Sequence, residues 1–261
     1  LAINWYNPAK VSINAYSISY NLANIMSNHC IIYGKHASLA AINNPRRNIK
    51  NIYITDGSQK LYQQDIPKKF KIHPISKQML NNMLPAGSIH QNIAVETYPL
   101  PPVELKSITQ GPLLLLDHIT DTHNIGAIFR SAAAFGIKGI ITTKDHCPEL
   151  SGTIAKTACG GIEQVPLITI ANLANAIKIL KKSGFWIYGL DGHTQTSITD
   201  PSYSNNTALI LGAEGQGLRN RTKDLCDQLV KIPMEPTMES LNVSNAAAIA
   251  MWHLHQHTAN N

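Results

Sequence analysis

Hydrophobic positions in the second half of the chain fall into short runs at residues 113–116, 139–142, 165–170, 186–190, 208–211 and 229–232. Stretches of helical period separate most of them, for example residues 173–182. Apolar runs of four to six residues interleaved with helices predict a parallel sheet covered on both faces. One helix is well marked. Ile125, Ile128, Phe129 and Ala132 follow the i, i+3, i+4, i+7 rule, Asn124 is placed to cap its start, and Gly136 suits its stop.

The first half carries a smaller pattern. Residues 31–33 read as a strand closed by Gly34, and residues 36–42 as a helix stopped by Asn44-Pro45. A second strand at 52–55 ends in the turn pair Asp56-Gly57; residues 76–84 are helical and 93–95 strand-like. The proline-rich stretch Tyr98-Pro99-Leu100-Pro101-Pro102 is a stiff connection. The expected organisation is an irregular extension at 1–28, a small α/β domain at 29–97, a linker at 98–110 and a larger α/β domain at 111–261. Met26 is the first methionine, and synthesis beginning there is one expectation for the extension.

Charge changes this picture by dividing it. Residues 1–110 hold 11 Lys+Arg against 4 Asp+Glu, whereas residues 111–261 hold 11 against 12. A basic first half suggests a docking module for a polyanion, with Arg46, Arg47, Lys50, Lys68, Lys69 and Lys71 expected in loops as phosphate contacts. Solubility alone is the competing account of those lysines. Cys30, Cys147, Cys159 and Cys226 show no metal-ligand spacing, so neither zinc nor a disulfide framework is expected, and a reducing cytoplasm fits best. No apolar run approaches the roughly 18 residues of a membrane span.

Three stretches carry candidate chemistry. The loop at 117–124 follows an apolar strand, at the kind of strand end where open α/β sheets bind ligands. Arg130, on the helix beyond it, lies about 140° round from Ile125, off the apolar stripe. Gly212-Ala213-Glu214-Gly215-Gln216-Gly217 lets backbone approach a ligand, and Glu214 disfavours an anionic one. It matches neither a dinucleotide fingerprint nor a P-loop. Ser240-Leu241-Asn242-Val243-Ser244 sits where a strand-like segment hands over to an alanine-rich helix. Taken singly, each has an ordinary explanation: a cap and a surface arginine, a tight turn, a helix N-cap.

Together and in order, the three stretches resemble the SpoU/TrmH-type RNA 2′-O-ribose methyltransferases of the SPOUT superfamily. The residues carrying the resemblance are Asn124-x-Gly126 with Arg130, Leu211-Gly212-Ala213-Glu214-Gly215-x-Gly217, and Ile232-Pro233-Met234 with Ser240-Leu241-Asn242-Val243-Ser244. Tyr33-Gly34-Lys35-His36-Ala37 is similar to the start of the small RNA-binding domain, like ribosomal protein L30e, that precedes many members. The segment at 158–166 looks closest to the branch that modifies a guanosine in large-subunit ribosomal RNA.

The resemblance implies a trefoil-knotted, parallel-sheet catalytic domain behind an L30e-like α/β domain, and a homodimer with its site at the interface. It implies S-adenosylmethionine as cosubstrate, held by Leu211, Gly212, Gly217, Ile232, Met234 and Leu241, with no metal. Asn124, Arg130, Glu214, Ser240 and Asn242 are the implied catalytic group, and His36 joins Arg46, Arg47 and Lys50, already singled out by charge, as the expected RNA contacts. A guanidinium stays protonated, so Arg130 is read as gripping phosphate and stabilising alkoxide charge rather than as a base. Thr122, Asn245 and Asn92 depart from the family pattern, Thr122 replacing a usual proline and Asn92 a usual glycine. Ribosomal RNA is the expected substrate. Transfer RNA is the alternative, as is a non-catalytic RNA-binding protein of this fold; a nucleotide-dependent oxidoreductase is disfavoured by the missing GxGxxG.

Overall fold

A computed structural model describes residues 29–147 and 150–258. The expectations for residues 1–28, including a start at Met26, lie outside the described residues. Two sheets organise the chain. The smaller has β1 (Cys30–Tyr33), β2 (Ile49–Thr55), β3 (Ile72–Ile75) and β4 (Ile93–Thr97) in the order β1-β4-β2-β3. β4 runs antiparallel to both neighbours, and β3 lies parallel to β2. Helices α1 (Lys35–Asn43), α2 (Gln59–Tyr62) and α3 (Lys77–Asn82) connect them. β3 has no clear sequence signal. It carries Pro74, which a strand tolerates at a sheet edge, where β3 lies. Asn92, where glycine is usual, takes φ 64°, a left-handed conformation that asparagine tolerates.

The larger sheet holds β5 (Leu113–Asp117), β6 (Gly139–Thr143), β7 (Leu167–Ile170), β8 (Trp186–Leu190), β9 (Thr207–Gly212) and β10 (Gln228–Val230). Its order is β10-β8-β9-β5-β6-β7, and every pairing is parallel. Successive side chains of a strand point to opposite faces. Leu114 and Leu116 of β5 therefore join Leu209, Leu211 and Ile140 in one core. Leu113 and Leu115 join Ala208, Ile210 and Ile141 in the other. Each face is roofed by helices: α4 (Thr122–Ala134), α5 (Gly152–Thr157), α6 (Gly161–Gln164) and α9 (Val243–Thr258) on the first, α7 (Leu173–Lys182) on the second. A further short helix, α8 (Asn220–Lys223), follows β9. Among the described residues no helix is long and apolar enough to cross a membrane.

The connection between the sheets is not a free spacer. Leu100 packs on the first core, while Val103, Leu105 and Ile108 pack on the second. Ile32, Ala37 and Ala41 of the smaller unit belong to the same core as α4, α5 and α6. Packing there is tight enough to require glycine at Gly152, where a Cβ would lie 2.1 Å from the Ile31 carbonyl oxygen.

A buried charge cluster locks the same junction. Arg47 Nη2 lies 2.6 Å from Glu163 Oε1, with side-chain exposures of 4% and 5%. Arg47 Nε donates to both carboxylate oxygens at 3.2 Å, and Nη1 donates to the Tyr98 carbonyl at 3.1 Å. Asn44 Nδ2 donates to Glu163 Oε2 at 2.7 Å, and Arg46 Nη2 to the Glu163 carbonyl at 3.0 Å. This corrects the expectation that Arg47 is an RNA contact, although Arg46 and Arg47 do lie in a loop as expected. Arg47 is buried with each of its three side-chain nitrogens hydrogen-bonded, and Arg46 is half-buried against the larger unit. Lys50 lies in β2 rather than a loop and is paired with Glu96 at 2.8 Å. Burial alone would raise the Glu96 carboxyl, but hydrogen bonds from Lys50, Asn51 and Tyr53 outweigh it and hold the pKa down at about 2.

Removing one member of a buried ion pair strands the other. Glu163→Ala, which leaves Arg47 buried and uncompensated, is expected to cost about 3–5 kcal/mol. Urea denaturation measures it, and Glu163→Gln, which keeps an acceptor for Arg47, should cost less.

Candidate active site

Because the larger sheet is all-parallel, the loops after β5, β9 and β10 leave from one edge. Asp117 and Gly212, the last residues of β5 and β9, are register partners, so their loops start at the same height. Gly212 is required there: a Cβ would lie 2.1 Å from the Gly217 carbonyl carbon and oxygen. The turn folds back on itself, with Gly217 N donating to the Ala213 carbonyl at 2.8 Å and Gly217 at φ 65°.

Asn242 ties the three loops together. Its Nδ2 donates to Asn124 Oδ1 at 3.0 Å and, longer, to Glu214 Oε2 at 3.4 Å. Its Oδ1 accepts from Ser244 N at 2.9 Å and Ser244 Oγ at 2.6 Å, which caps α9. One carboxamide thus joins α4, the glycine turn and the start of α9. Asn124 is free to take part because it is not the cap of α4, contrary to expectation. Asp121 is the cap, accepting from Asn124 N at 2.7 Å. The helix starts at Thr122 although the usual proline is absent, since the Asp121 cap supplies the start signal locally. At the far end Gly136 takes φ 73°, and Ile137 N donates to the Ala132 carbonyl at 3.0 Å, closing the helix as the sequence suggested.

A second polar group fixes the glycine turn from behind. Asp117 is 2% exposed. Its Oδ2 accepts from Thr222 Oγ1 at 2.7 Å, and Arg219 Nη2 lies 2.7 Å from Oδ1. Arg219 and Thr222 follow the turn in sequence, so this contact anchors it to β5. Sequence reasoning missed Asp117, Arg219 and Thr222. The available signal was an acidic residue ending an otherwise apolar strand. His118, at φ 63°, stacks on His146 with ring centroids 3.7 Å apart. Burial lowers its pKa below 6.5; Arg219 and His146 add to this and Asp117 opposes it.

The other expected residues are placed as follows. Leu211 is buried at the end of β9; Ile232 and Leu241 are half-buried; Met234 and Ser240 are exposed. Ser240 lies two residues before Asn242 and makes none of the hub's hydrogen bonds. Arg130 is not brought to the Asn242 hub in one chain. It is exposed on α4 and faces a cleft between the two units, with Tyr33, Lys156 and residues 85–88. His36 is exposed at the first turn of α1. Among the described residues no cluster of His, Cys, Asp and Glu could hold a metal.

The hub's surroundings fit a cationic, partly apolar ligand. Glu214 is exposed and carries the hub's negative charge, while Leu211 lies in, and Ile232 packs on, the core beneath the sheet edge. Fold and site therefore define an α/β protein whose polar loops converge at one edge of a parallel sheet. The chain belongs to the SpoU rRNA methylase family, whose model matches residues 111–252. Residues 31–103 match the RNA 2′-O ribose methyltransferase substrate-binding model. Among curated relatives, the 23S rRNA (guanosine-2′-O-)-methyltransferase RlmB of Neisseria meningitidis is 35% identical, covering 87% of this chain and 94% of its own. That of Escherichia coli strain K12 is 33% identical, covering 85% and 96%. The SpoU methyltransferase AviRb from Streptomyces viridochromogenes, solved with AdoMet, superposes with a TM-score of 0.74 at 19% identity, over 91% of this chain and 94% of that one.

Three imidazoles give the protein an acid limb. Burial lowers His90, helped by Lys77 and Lys156, and lowers His253, helped by His257, as it does His118. A histidine held neutral in the fold binds fewer protons than the unfolded chain just below pH 6.5. Their contribution is therefore complete above that pH and lost as pH falls through the folded values. The urea midpoint should decline below pH 6.5, and His118→Gln should make that decline shallower.

Proposed function

We propose that the protein transfers a methyl group from S-adenosylmethionine to a ribose 2′-oxygen of large-subunit ribosomal RNA, at a guanosine. The observation that carries this is the Asn242 hub, which joins Asn124 and Glu214 from the two other family motifs. Curated relatives named for 23S rRNA guanosine methylation, matched over nearly their whole length, support the substrate. The reading also takes the protein to be cytoplasmic, where that RNA is made.

S-adenosylmethionine supplies an electrophilic methyl on a positively charged sulfur. Gly212, Gly217 and Leu241 would present backbone to it, with Leu211, Ile232 and Met234 walling its apolar parts. Glu214 favours a positive charge nearby, and Asn242 holds that carboxylate in place. The reaction forms an oxygen–carbon bond, breaks a sulfur–carbon bond and releases the hydroxyl proton. Arg130 stabilises the alkoxide that develops and grips the neighbouring phosphate, a bidentate task suited to guanidinium. Ser240, exposed beside the hub, positions the nucleotide.

Arg130 lies away from the hub of its own chain, so this mechanism calls for a homodimer in which one subunit's arginine serves its partner's hub. The helix surface for pairing exists: Ile249 and Trp252, on one side of α9, are 40% and 51% exposed. The knot and the L30e-like character of the smaller unit belong to the same proposal. Insertion of β9 between β8 and β5, with α9 returning over α4, supports a threaded chain.

The test is transfer of labelled methyl to 23S rRNA transcripts, with the product mapped as 2′-O-methylguanosine. Arg130→Ala should lower kcat about 10²-fold or more while S-adenosylmethionine still binds. Near-normal turnover in Arg130→Lys would overturn the bidentate grip. Ile249→Asp should give a monomer by sedimentation, with transfer lost.

A further inference from the structure

The smaller and larger units meet at a cleft of about 580 Å³, within the range of small-molecule sites. One wall is Tyr33 and the turn at residues 85–88. The other is α4 and α5, contributing His123, Arg130, Thr153, Lys156 and Thr157. Two features make this more than a gap. The first is charge. Arg130 and Lys156 both line it, and among the described residues no carboxylate does and neither cation enters an ion pair. Lys156 Nζ sits 5.8 Å over the Tyr33 ring, so its stem is supported while its charge remains unmatched.

The second is that the cleft is held open by fixed walls. Gly126 of α4 fits against Thr157 of α5, where a Cβ would lie 2.6 Å from the Thr157 Cβ, so Lys156 and Arg130 are carried by helices in close contact. Tyr33 Oη is 3.2 Å from Thr153 Oγ1, across the junction. The Arg47–Glu163 pair and the shared core fix the two units on each other nearby. A rigid cleft with two unpaired cations is matched to a polyanion strand rather than to a neutral or cationic ligand.

We infer that this cleft grips the backbone of the RNA strand and that Lys156 is a phosphate-binding residue within it. The inference rests on the proposed RNA substrate and extends it. Lys156 is not needed for methyl transfer itself. It holds the strand where the substrate-binding unit and the catalytic helices meet, and it adds one phosphate contact to that of Arg130.

Lys156→Met keeps the stem over Tyr33 and removes the charge; Lys156→Gln is the second variant should Met perturb folding. In filter-binding and turnover assays on a 23S rRNA transcript, either should raise Kd and KM for RNA roughly fivefold to tenfold. The slope of log K against log salt should fall by about 0.7, one phosphate contact on a single strand. The kcat at saturating RNA and the affinity for S-adenosylmethionine should stay at wild-type values, and Lys156→Arg should restore RNA affinity. A folded Lys156→Met or Lys156→Gln with unchanged KM and salt slope, alongside wild type that methylates the transcript, overturns this inference alone. Wild type that neither binds nor methylates RNA overturns the proposed function and this inference with it.

Discussion

The Asn242 carboxamide has two donors and one acceptor oxygen, and both ends are committed. Its Nδ2 serves Asn124 and Glu214, and its oxygen caps α9 through Ser244. No other side-chain type of this size donates and accepts in this way. An aspartate would repel Glu214, and a leucine would leave Asn124 without its partner. Three loops that are distant in sequence are held by one planar group, so their relative positions follow from its geometry. What lies behind the hub makes this possible. Asp117 and Gly212 start their loops level because β5 and β9 are in parallel register, and Asp117 then holds Arg219 and Thr222 so that the glycine turn cannot swing.

The same economy of position appears at the junction of the two units. Buried charges are costly unless fully satisfied, and Glu163 is satisfied by Arg47 and Asn44 from the smaller unit. Two domains joined by a short linker ordinarily move relative to one another unless a large apolar interface holds them. Here Leu100, Val103, Leu105 and Ile108 pack down, and Arg47 also holds the Tyr98 carbonyl. The arrangement converts a tethered pair into a body with a defined cleft between its parts.

How far this was legible in the sequence depends on the range of the interaction. The strands of the larger sheet were plain because a strand buried on both faces must be apolar throughout, as 113–116 is. Strand ends were less so: the run at 165–170 forms a strand only from Leu167, after Pro166, and the run at 229–232 only to Val230. β3 was invisible because an edge strand with a proline lacks both period and propensity. The α4 cap was assigned to Asn124 because asparagine caps well, yet an aspartate three residues earlier does it, which releases Asn124 for the hub. Arg47 was misread as an RNA contact for a related reason. Its partner, Glu163, is 116 residues away, and no local pattern announces a buried ion pair. Motif order groups Asn124, Glu214 and Asn242, which the hub joins, but it carries no information about the cleft that Arg130 faces.

The distribution of charge gives the two substrates different addresses. Glu214 is the negative group at the hub, beside apolar side chains, where a positively charged methyl donor is favoured and a phosphate is not. Arg130 and Lys156, which enter no ion pair among the described residues, line a cleft to which no described carboxylate contributes. A polyanion is thus drawn to the cleft and kept from the acidic hub except where a ribose must enter. In the proposed reaction the donor's sulfur loses its positive charge, so a carboxylate at Glu214 would attract the donor more than its spent form.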